Sequence, residues 1–267
     1  MRRLKRSNLD GRKGDSYCRV VSSAIYRPVM TKALYLEDSY LKEMEATIVE
    51  VSKENENRWQ VVLDKTIFYP RGGGQSTDQG SLFTDSWKCK VSQVLQREDK
   101  IIHYIEGEQP PPVGSQLKGI IDWDRRYLHM RLHSAGHIVD FALYLLGLSP
   151  APLMPLKGDH GKKPVICYQG AVEKDFREDL EKKSNELIAK NLSFSTRFAS
   201  YEELEREAIY LQSGLPKNKP LRLLSLNSVG SVADGGTQVS NTSEVGKISI
   251  LPIEKKEGMI FIHYRLS

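Results

Sequence analysis

Regular alternation of apolar and polar positions begins at about Thr31 and is weak in the 29 residues before it. Between about residues 45 and 120, short runs of β-branched and aromatic residues with partial alternation predict strands. Turn residues separate these runs, which is typical of a small barrel or a sandwich. The predicted strands cover residues 46–51, 58–63, 89–94, 101–105 and 117–121.

Beyond residue 121 the apolar positions change to helical spacing. A stripe that stops at Gly147 predicts the first helix, and it consists of Leu132, Ala135, Val139, Leu143 and Leu146. A second amphipathic helix is predicted over residues 173–191, and strands over residues 247–251 and 259–263. The C-terminal part is therefore predicted to be α+β. We expect a boundary near residue 121, between a first domain at residues 30–120 and a second at residues 121–267.

The composition is that of a soluble globular protein, with 39% hydrophobic and 27% charged residues in a chain of 267. No apolar run approaches the roughly 20 residues that span a bilayer, so we expect no membrane association. The three cysteines, Cys18, Cys89 and Cys167, are widely separated and fit neither a disulfide scaffold nor a zinc knuckle. A reducing, cytoplasmic location is predicted.

The positive charge is concentrated at the N-terminus. Residues 1–29 carry eight basic and two acidic side chains, a net of +6, so the rest of the chain sums to −1 of the total +5. Global charge therefore gives no argument for nucleic-acid binding. Two local groups of lysines, at 157, 162 and 163 and at 217 and 219, are either phosphate contacts or solvated loop residues. Residues 1–29 are predicted to be a disordered basic extension, either an organelle transit peptide or the product of a misassigned start upstream of Met30.

Two short clusters indicate a metal site. His133 and His137 stand four residues apart on the first predicted helix, where both rings project from one face and are able to share a divalent cation. The alternative is a pair of ordinary core or surface histidines. Asp234 opens a second cluster, Asp-Gly-Gly-Thr-Gln-Val, either as a third ligand or as a turn residue that binds the following glycine amides. His129, one turn earlier on the same helix, is a third ligand, a nucleic-acid contact or, as we favour, a partly exposed histidine.

A third motif, Phe-Tyr-Pro-Arg-Gly-Gly-Gly-Gln-Ser-Thr-Asp, covers residues 68–78. Its three glycines leave backbone amides bare, so the loop is able to approach a ligand closely while Gln75 and Asp78 supply polar groups. No Gly-Lys-Ser/Thr sequence follows and no dinucleotide-binding glycine spacing is present, which disfavours those kinds of nucleotide site. The alternative is a plain hairpin turn.

Taken together, the motifs FYPxGGGQ, HxAxH and GGTxV followed by residues 241–246 resemble those of the AlaX-type alanyl-tRNA editing proteins. These are related to the editing domain of alanyl-tRNA synthetase, and the resemblance runs from about Thr31 to the end. It implies an α+β fold, with an N-terminal small β-barrel domain followed by an α/β two-layer editing domain. It also implies one zinc ion and hydrolysis of the ester of mischarged alanine tRNA at its acceptor end. Because the synthetase module is missing, no use of ATP is implied.

The resemblance transfers to individual residues with departures at four positions, one of which is Ser134, where the family usually has threonine. His133 and His137 match the helical histidine ligands, but Asp234 and Gln238 stand where the family usually has a cysteine and a histidine. Since a carboxylate is a good zinc ligand and an amide oxygen a poor one, the site is either a His-His-Asp centre with an open position or a weak zinc site. Gly136 also stands where a larger residue is common, at a cost of about 1 kcal/mol in a helix interior unless packing needs the space.

We therefore predict three groups of site residues. The metal ligands are His133, His137, Asp234 and Gln238, although Gln238 suits a hydrogen-bonding role in the pocket better. The catalytic residues are Gln75, Asp78 and Thr237, and the substrate or tRNA contacts are Gly72, Gly73, Gly74, Ser134, Gly235 and Gly236. The predicted substrate is seryl-tRNA(Ala), because a site that binds the serine hydroxyl leaves its polar groups unpaired with alanine. The alternatives are hydrolysis of another aminoacyl-tRNA and metal-free tRNA binding without catalysis.

Overall fold

The computed structural model describes residues 30–267, and the predicted disordered extension, residues 1–29, lies outside the described residues. The first part of the described chain is made of strands, apart from one 3-10 turn at Leu34–Leu36. These strands are β1 (Lys32–Ala33), β2 (Glu43–Asn55), β3 (Arg58–Leu63), β4 (Lys65–Thr66), β5 (Gly80–Phe83), β6 (Lys88–Arg97), β7 (Lys100–Glu106) and β8 (Gln116–Ile121).

Six of these strands form a closed barrel in the order β2, β3, β7, β6, β5 and β8, and β8 pairs with β2 to complete it. Alternation places one face of each strand inside: in β8, Leu117, Gly119 and Ile121 are buried while the residues between them are exposed. A barrel rather than a sandwich is thus observed, and the five strands predicted in this part are confirmed. The prediction missed β5, because four residues are too few to show alternation.

The rest of the chain mixes helices and strands. In chain order its elements are α1 (Trp123–Leu145), β9 (Met154–Asp159), β10 (Val165–Gln169), α2 (Arg177–Ala189), β11 (Phe194–Ala199), α3 (Tyr201–Glu207), β12 (Leu221–Leu226), β13 (Gly230–Ala233), β14 (Ile248–Ile250), β15 (Glu254–Lys256) and β16 (Met259–Leu266). One sheet has the order β14, β16, β10, β9 with β15 also paired to β16, and a second has the order β11, β12, β13. The fold is α+β, as predicted, and both predicted helices and both predicted C-terminal strands are present.

Helix α1 is the long element on which the site is built. Asp122 caps its N-terminus by accepting a hydrogen bond from the Arg125 amide at 3.1 Å, which satisfies one of the free donors of the first turn. From His129 to Leu143 every residue except Arg131 is buried, including several polar ones. A helix buried on all sides lacks a clean amphipathic stripe, so the apolar spacing predicted its existence but not its polar contacts.

A buried ion pair fixes α1 against the barrel. Arg126 lies in the first turns of α1, is fully buried, and donates to both carboxylate oxygens of Asp78 in the loop before β5. Its remaining donors bind the carbonyl oxygens of Ser39 at 2.9 Å and of Ile67 at 2.5 Å. These contacts hold the glycine-rich loop beside the second and third turns of α1. Among residues 30–267, no helix has the length and apolar composition needed to cross a membrane.

Candidate metal centre

The two histidines of the helical motif face the same space. His133 and His137 lie on α1 with ring centroids 4.9 Å apart, and both side chains are buried. Asp234 follows the end of β13 and brings its Oδ1 atom to 3.4 Å from Nε2 of His133 and 3.5 Å from Nε2 of His137. One ligand atom from each residue lies within 4.8 Å of the other two. The structure thus brings together three of the four predicted ligands, although Asp234 lies 97 residues after His137 and 101 residues after His133 in the sequence.

The spacing of these atoms fits a tetrahedral cation. Ligands about 2.1 Å from such an ion lie about 3.4 Å apart, which is close to both distances from Asp234 Oδ1. His137 supports the same interpretation, because both of its buried ring nitrogens lack a hydrogen-bond partner among the described residues. Two imidazoles and a carboxylate are the donor set of catalytic zinc sites. These residues therefore fit a zinc ion.

The pKa shifts of these three residues follow from burial and from their mutual charges. Burial lowers the pKa of His133 to about 4, so its ring is neutral and able to ligate. Burial alone would raise the pKa of Asp234, but His133, His137 and Arg222 outweigh it and hold that pKa well below its usual range. Burial would also lower the pKa of His137, but the nearby carboxylate of Asp234 outweighs it and raises that pKa. The carboxylate therefore stabilises positive charge beside the rings.

The glycine-rich loop orients His133 through Gln75. The Gln75 side-chain oxygen accepts hydrogen bonds from Nδ1 of His133 at 2.9 Å and from the amide of Thr237 at 3.0 Å. Its nitrogen donates to the Thr237 hydroxyl at 2.7 Å. Since an amide oxygen only accepts, the proton of His133 is held at Nδ1, and Nε2 presents its lone pair to Asp234. Gln75, predicted as catalytic, therefore orients a ligand.

A second set of contacts holds the far oxygen of Asp234. Its Oδ2 accepts from Nε2 of Gln238 at 2.9 Å and from the amide of Gly236 at 3.1 Å, and the Arg222 guanidinium lies 3.7 Å away. Oδ2 thus makes the turn contact that was one alternative for Asp234, while Oδ1 faces the histidines and is free to act as a ligand. Arg222, which the sequence analysis did not single out, also donates to the carbonyl of Gly236 at 2.5 Å.

Gln238 and Ser134 are hydrogen-bonded to each other. The Gln238 oxygen accepts from the Ser134 hydroxyl at 2.6 Å, and that hydroxyl in turn accepts from the amide of Val239 at 3.1 Å. With its nitrogen bound to Asp234, the Gln238 amide is engaged at both ends. These contacts agree with the hydrogen-bonding role that was expected to suit Gln238 better than metal ligation. Ser134 is fully buried in the same contacts, which give no support to its predicted role in substrate binding.

Two predicted catalytic residues lie away from the cavity. Asp78 is fully buried, and its carboxylate is occupied by Arg126 and by the Tyr69 amide at 2.7 Å. Thr237 is also fully buried and is bound to Gln75. Neither residue lines the cavity at the cluster. The contacts of Asp78 fix α1 to the barrel and those of Thr237 fix Gln75, and they give no support to the predicted catalytic roles.

The glycines predicted to contact substrate or tRNA have two kinds of position: some line the cavity or the groove beside it, and one is buried in packing. Gly73, Gly74 and Gly235 line a cavity of about 410 Å³ that opens at the cluster, whereas Gly72 lines a neighbouring polar groove. Gly74 has a φ of +77°, and a side chain there would overlap the carbonyl of Gly158 in β9. Gly236 is buried, and a Cβ atom on it would overlap the His133 ring. It acts by allowing close packing rather than by facing the cavity.

His160 is a cavity residue that the sequence analysis left unassigned. It follows β9, its ring stacks on that of His133 at 4.6 Å between centroids, and its amide donates to the carbonyl of Gly74 at 2.8 Å. Its Nδ1 atom lies 2.6 Å from the Tyr264 hydroxyl, which donates to the carbonyl of Leu132. The sequence signal for this contact was the glycine at position 136 of the helix, because a Cβ atom there would lie 2.8 Å from His160 Nδ1. His129, predicted to be partly exposed, is buried and is not one of the three clustered residues.

The fold and the cluster together define an α+β protein with a buried candidate metal centre that opens on a cavity. Residues 23–125 match a family described as tRNA synthetases class II (A). The alanyl-tRNA editing protein AlaX-M of Methanosarcina barkeri is 34% identical over 236 residues, which cover 85% of this chain and 95% of that protein. AlaX-M of Saccharolobus solfataricus is 36% identical over 234 residues, with 85% and 94% covered.

A longer relative shares the same region. The alanine–tRNA ligase of Halobacterium salinarum is 32% identical over 232 residues, which cover 84% of this chain but 25% of the ligase. The full-length similarity to AlaX-M confirms the resemblance inferred from the three motifs. This chain belongs to the AlaX family of alanyl-tRNA editing proteins.

Proposed function

We propose that this protein hydrolyses the aminoacyl ester of mischarged alanine tRNA, with seryl-tRNA(Ala) as its substrate and one zinc ion as its cofactor. The observation that carries the proposal is the convergence of His133, His137 and Asp234 at a cavity, in a chain whose relatives are named alanyl-tRNA editing proteins. The reaction is an ester hydrolysis and requires no ATP. We also propose that residues 30–120 and 121–267 act as two domains, the second carrying the ligands.

His133, His137 and Asp234 would hold the zinc ion, which when bound supplies Lewis-acid chemistry suited to ester hydrolysis. Gln75 keeps the proton of His133 at Nδ1, and Gln238 holds Oδ2 of Asp234, so Oδ1 of Asp234 and Nε2 of His133 stay directed at one point. Such preorganisation lowers the reorganisation needed during the reaction.

The glycine-rich loop is proposed to stabilise the developing charge on the substrate. The amides of Gly73 and Gly74 lie at the cavity and donate to no acceptor among residues 30–267. Directed at the ester carbonyl, they are able to donate as negative charge builds on its oxygen, as in other oxyanion holes.

The proposed preference for serine is supported by Gln212. This residue lies between α3 and β12 and lines the cavity, its nitrogen donates to the Ala233 carbonyl at 3.3 Å, and its buried oxygen has no partner among the described residues. A serine hydroxyl would satisfy that oxygen, whereas alanine would leave it unpaired. A buried polar atom that the correct substrate satisfies and the wrong one does not gives strong discrimination.

The groove beside the cavity supports binding of the RNA backbone. It has a volume of about 690 Å³, shares Gly74 and Gly158 with the cavity lining, and carries the basic side chains of Arg71, Arg125 and Lys162. Asp159 is the acidic residue that lines it. Cationic side chains next to an ester site suit the phosphodiesters of an acceptor end. We propose that the tRNA terminus follows this groove into the cavity. A cytoplasmic location, and organelle targeting by residues 1–29, stay predictions.

The experiment is a deacylation panel with the purified full chain, measuring release of amino acid from seryl-, alanyl- and other aminoacyl-tRNAs. We expect hydrolysis of seryl-tRNA(Ala), loss of that activity in His133→Ala, and retention in His263→Ala, which replaces a half-buried histidine of β16 outside the cavity. Equal rates on seryl- and alanyl-tRNA(Ala) would rule out editing. Gln212→Leu should narrow the difference between these two substrates by about tenfold, the value of one hydrogen bond to a buried polar group.

A further inference from the structure

Asp140 is a buried acid at the cavity that no step above uses. It lies on α1 three residues after His137, so helical geometry places it about 4.5 Å further along the axis, one turn beyond the second ligand and on nearly the same face. Its exposed fraction is 6%, and it lines the cavity together with Tyr210. Asp140 and Asp234 are the carboxylates of the described cavity lining. Since Asp234 faces the histidines, Asp140 is the one that remains for a substrate.

The contacts of Asp140 leave it without a cationic partner. Tyr168, on β10, donates to Oδ1, and Tyr210, after α3, donates to Oδ2 at 3.0 Å. Both donors are neutral hydroxyls, and no ion pair of Asp140 occurs in the described part of the chain. Burial raises the pKa of Asp140 and outweighs the charge of His137 and the two tyrosine hydroxyls, which lower it. Each oxygen keeps a second lone pair for a further donor.

We propose that Asp140 binds the α-ammonium group of the aminoacyl ester and so selects aminoacyl over other acyl esters. The inference rests on the proposed function. The ammonium is attached to the carbon next to the ester carbonyl. A carbonyl placed at the cluster of His133, His137 and Asp234 therefore brings the ammonium within about one helical turn of that cluster, which is where Asp140 lies. Tyr168 and Tyr210 hold the carboxylate in position, and the ammonium supplies the missing positive charge.

The alternative role for Asp140 is to join α1 to the two tyrosines, and the test separates the two roles. Seryl-tRNA(Ala) is treated with nitrous acid, which replaces the α-ammonium by a hydroxyl and leaves the ester intact. Hydrolysis of both esters is measured with the full chain, and each rate is divided by the spontaneous rate in the same buffer. We expect the wild-type protein to favour the aminoacyl ester by roughly tenfold to a hundredfold, the range of a charge-assisted hydrogen bond.

Asp140→Asn keeps the shape of the side chain and removes its charge, so the preference for the aminoacyl ester should fall to about one. Asp64→Asn is the matched control, because it makes the same change in a half-buried carboxylate of the barrel that accepts from the Thr47 amide at 2.7 Å and lies outside the cavity lining, so it should keep the preference. Equal loss on both esters in Asp140→Asn would show a purely structural role and overturn the inference. Hydrolysis of both esters at equal rates by the wild-type protein would also overturn the inference. This measurement needs no variant, so it tests the inference even if Asp140→Asn fails to fold.

Failure of the proposed function gives a different result. A folded, zinc-supplied wild-type protein that hydrolyses neither ester would refute the editing activity, and this inference would fall with it. Hydrolysis of both esters with no effect of charge at position 140 would refute only the assignment of Asp140.

Discussion

Replacing Gln75 by leucine should weaken the metal centre without removing a ligand. The substitution removes the acceptor that holds the proton at Nδ1 of His133, together with two hydrogen bonds to Thr237. Loss of such a supporting contact typically costs tenfold to a hundredfold in metal affinity, or about 1.4 to 2.7 kcal/mol. The buried Thr237 amide also loses its partner, which lowers folding stability by about 1 to 3 kcal/mol. This second effect is the same with and without metal.

Zinc affinity, measured by competition with a chromophoric chelator, separates these two effects. Gln75→Glu keeps an acceptor for both His133 and Thr237, so its affinity should equal or exceed that of the wild type. Gln79→Leu is the matched control, because the Gln79 nitrogen donates to the Ser92 carbonyl at 3.0 Å and makes no contact with the cluster. If folded Gln75→Leu binds zinc as tightly as Gln79→Leu, the argument that the glycine-rich loop supports the centre is refuted.

Three further predictions concern stability. Asp78→Ala leaves the Arg126 charge buried and unpaired, so the free energy of unfolding measured with denaturant should fall by about 3 to 5 kcal/mol. Adding Arg126→Met should restore part of it, and a fall below about 1 kcal/mol would contradict this prediction. Burial lowers the pKa of His103 to about 4, so the unfolded chain binds the extra proton between about pH 4 and 6.5 and stability falls as the pH is lowered through that window. His103→Gln should reduce that fall by about 3 kcal/mol, and an unchanged pH slope would contradict it. Gly136→Ala gains about 1 kcal/mol of helix propensity but crowds His160, and thermal unfolding should show a net loss because overpacking costs about 1 to 3 kcal/mol.

Local patterns predicted the parts of the molecule that depend on local geometry. Alternation in β8 and the four-residue spacing of His133 and His137 describe contacts within one strand or one turn of helix, and the structure has both. Asp234 was identified from its chemistry and from the resemblance rather than from any period, and it still joins the histidines.

The contacts that support the ligands were not predictable in this way. Gln75 reaches His133 across 58 residues and depends on how the barrel packs against α1, whereas Gln238 reaches Ser134 across 104 and depends on how the segment after β13 packs against α1. His160 had no partner pattern, because its position is set by the close approach of three glycines, Gly74, Gly136 and Gly158. The ion pair of Asp78 was not predictable for a related reason: an acid in a glycine-rich loop suits either a site or an ion pair, and its partner Arg126 lies 48 residues away.

The central claim is that one zinc ion held by His133, His137 and Asp234 serves the hydrolysis of seryl-tRNA(Ala). The most direct test is to remove metal from the full chain with a chelator, confirm by circular dichroism that it stays folded, and titrate zinc while recording deacylation. The account predicts that activity returns in proportion to added zinc and saturates at one ion per chain, and that Asp234→Asn requires much higher zinc. Full activity of the folded, metal-free protein would contradict it.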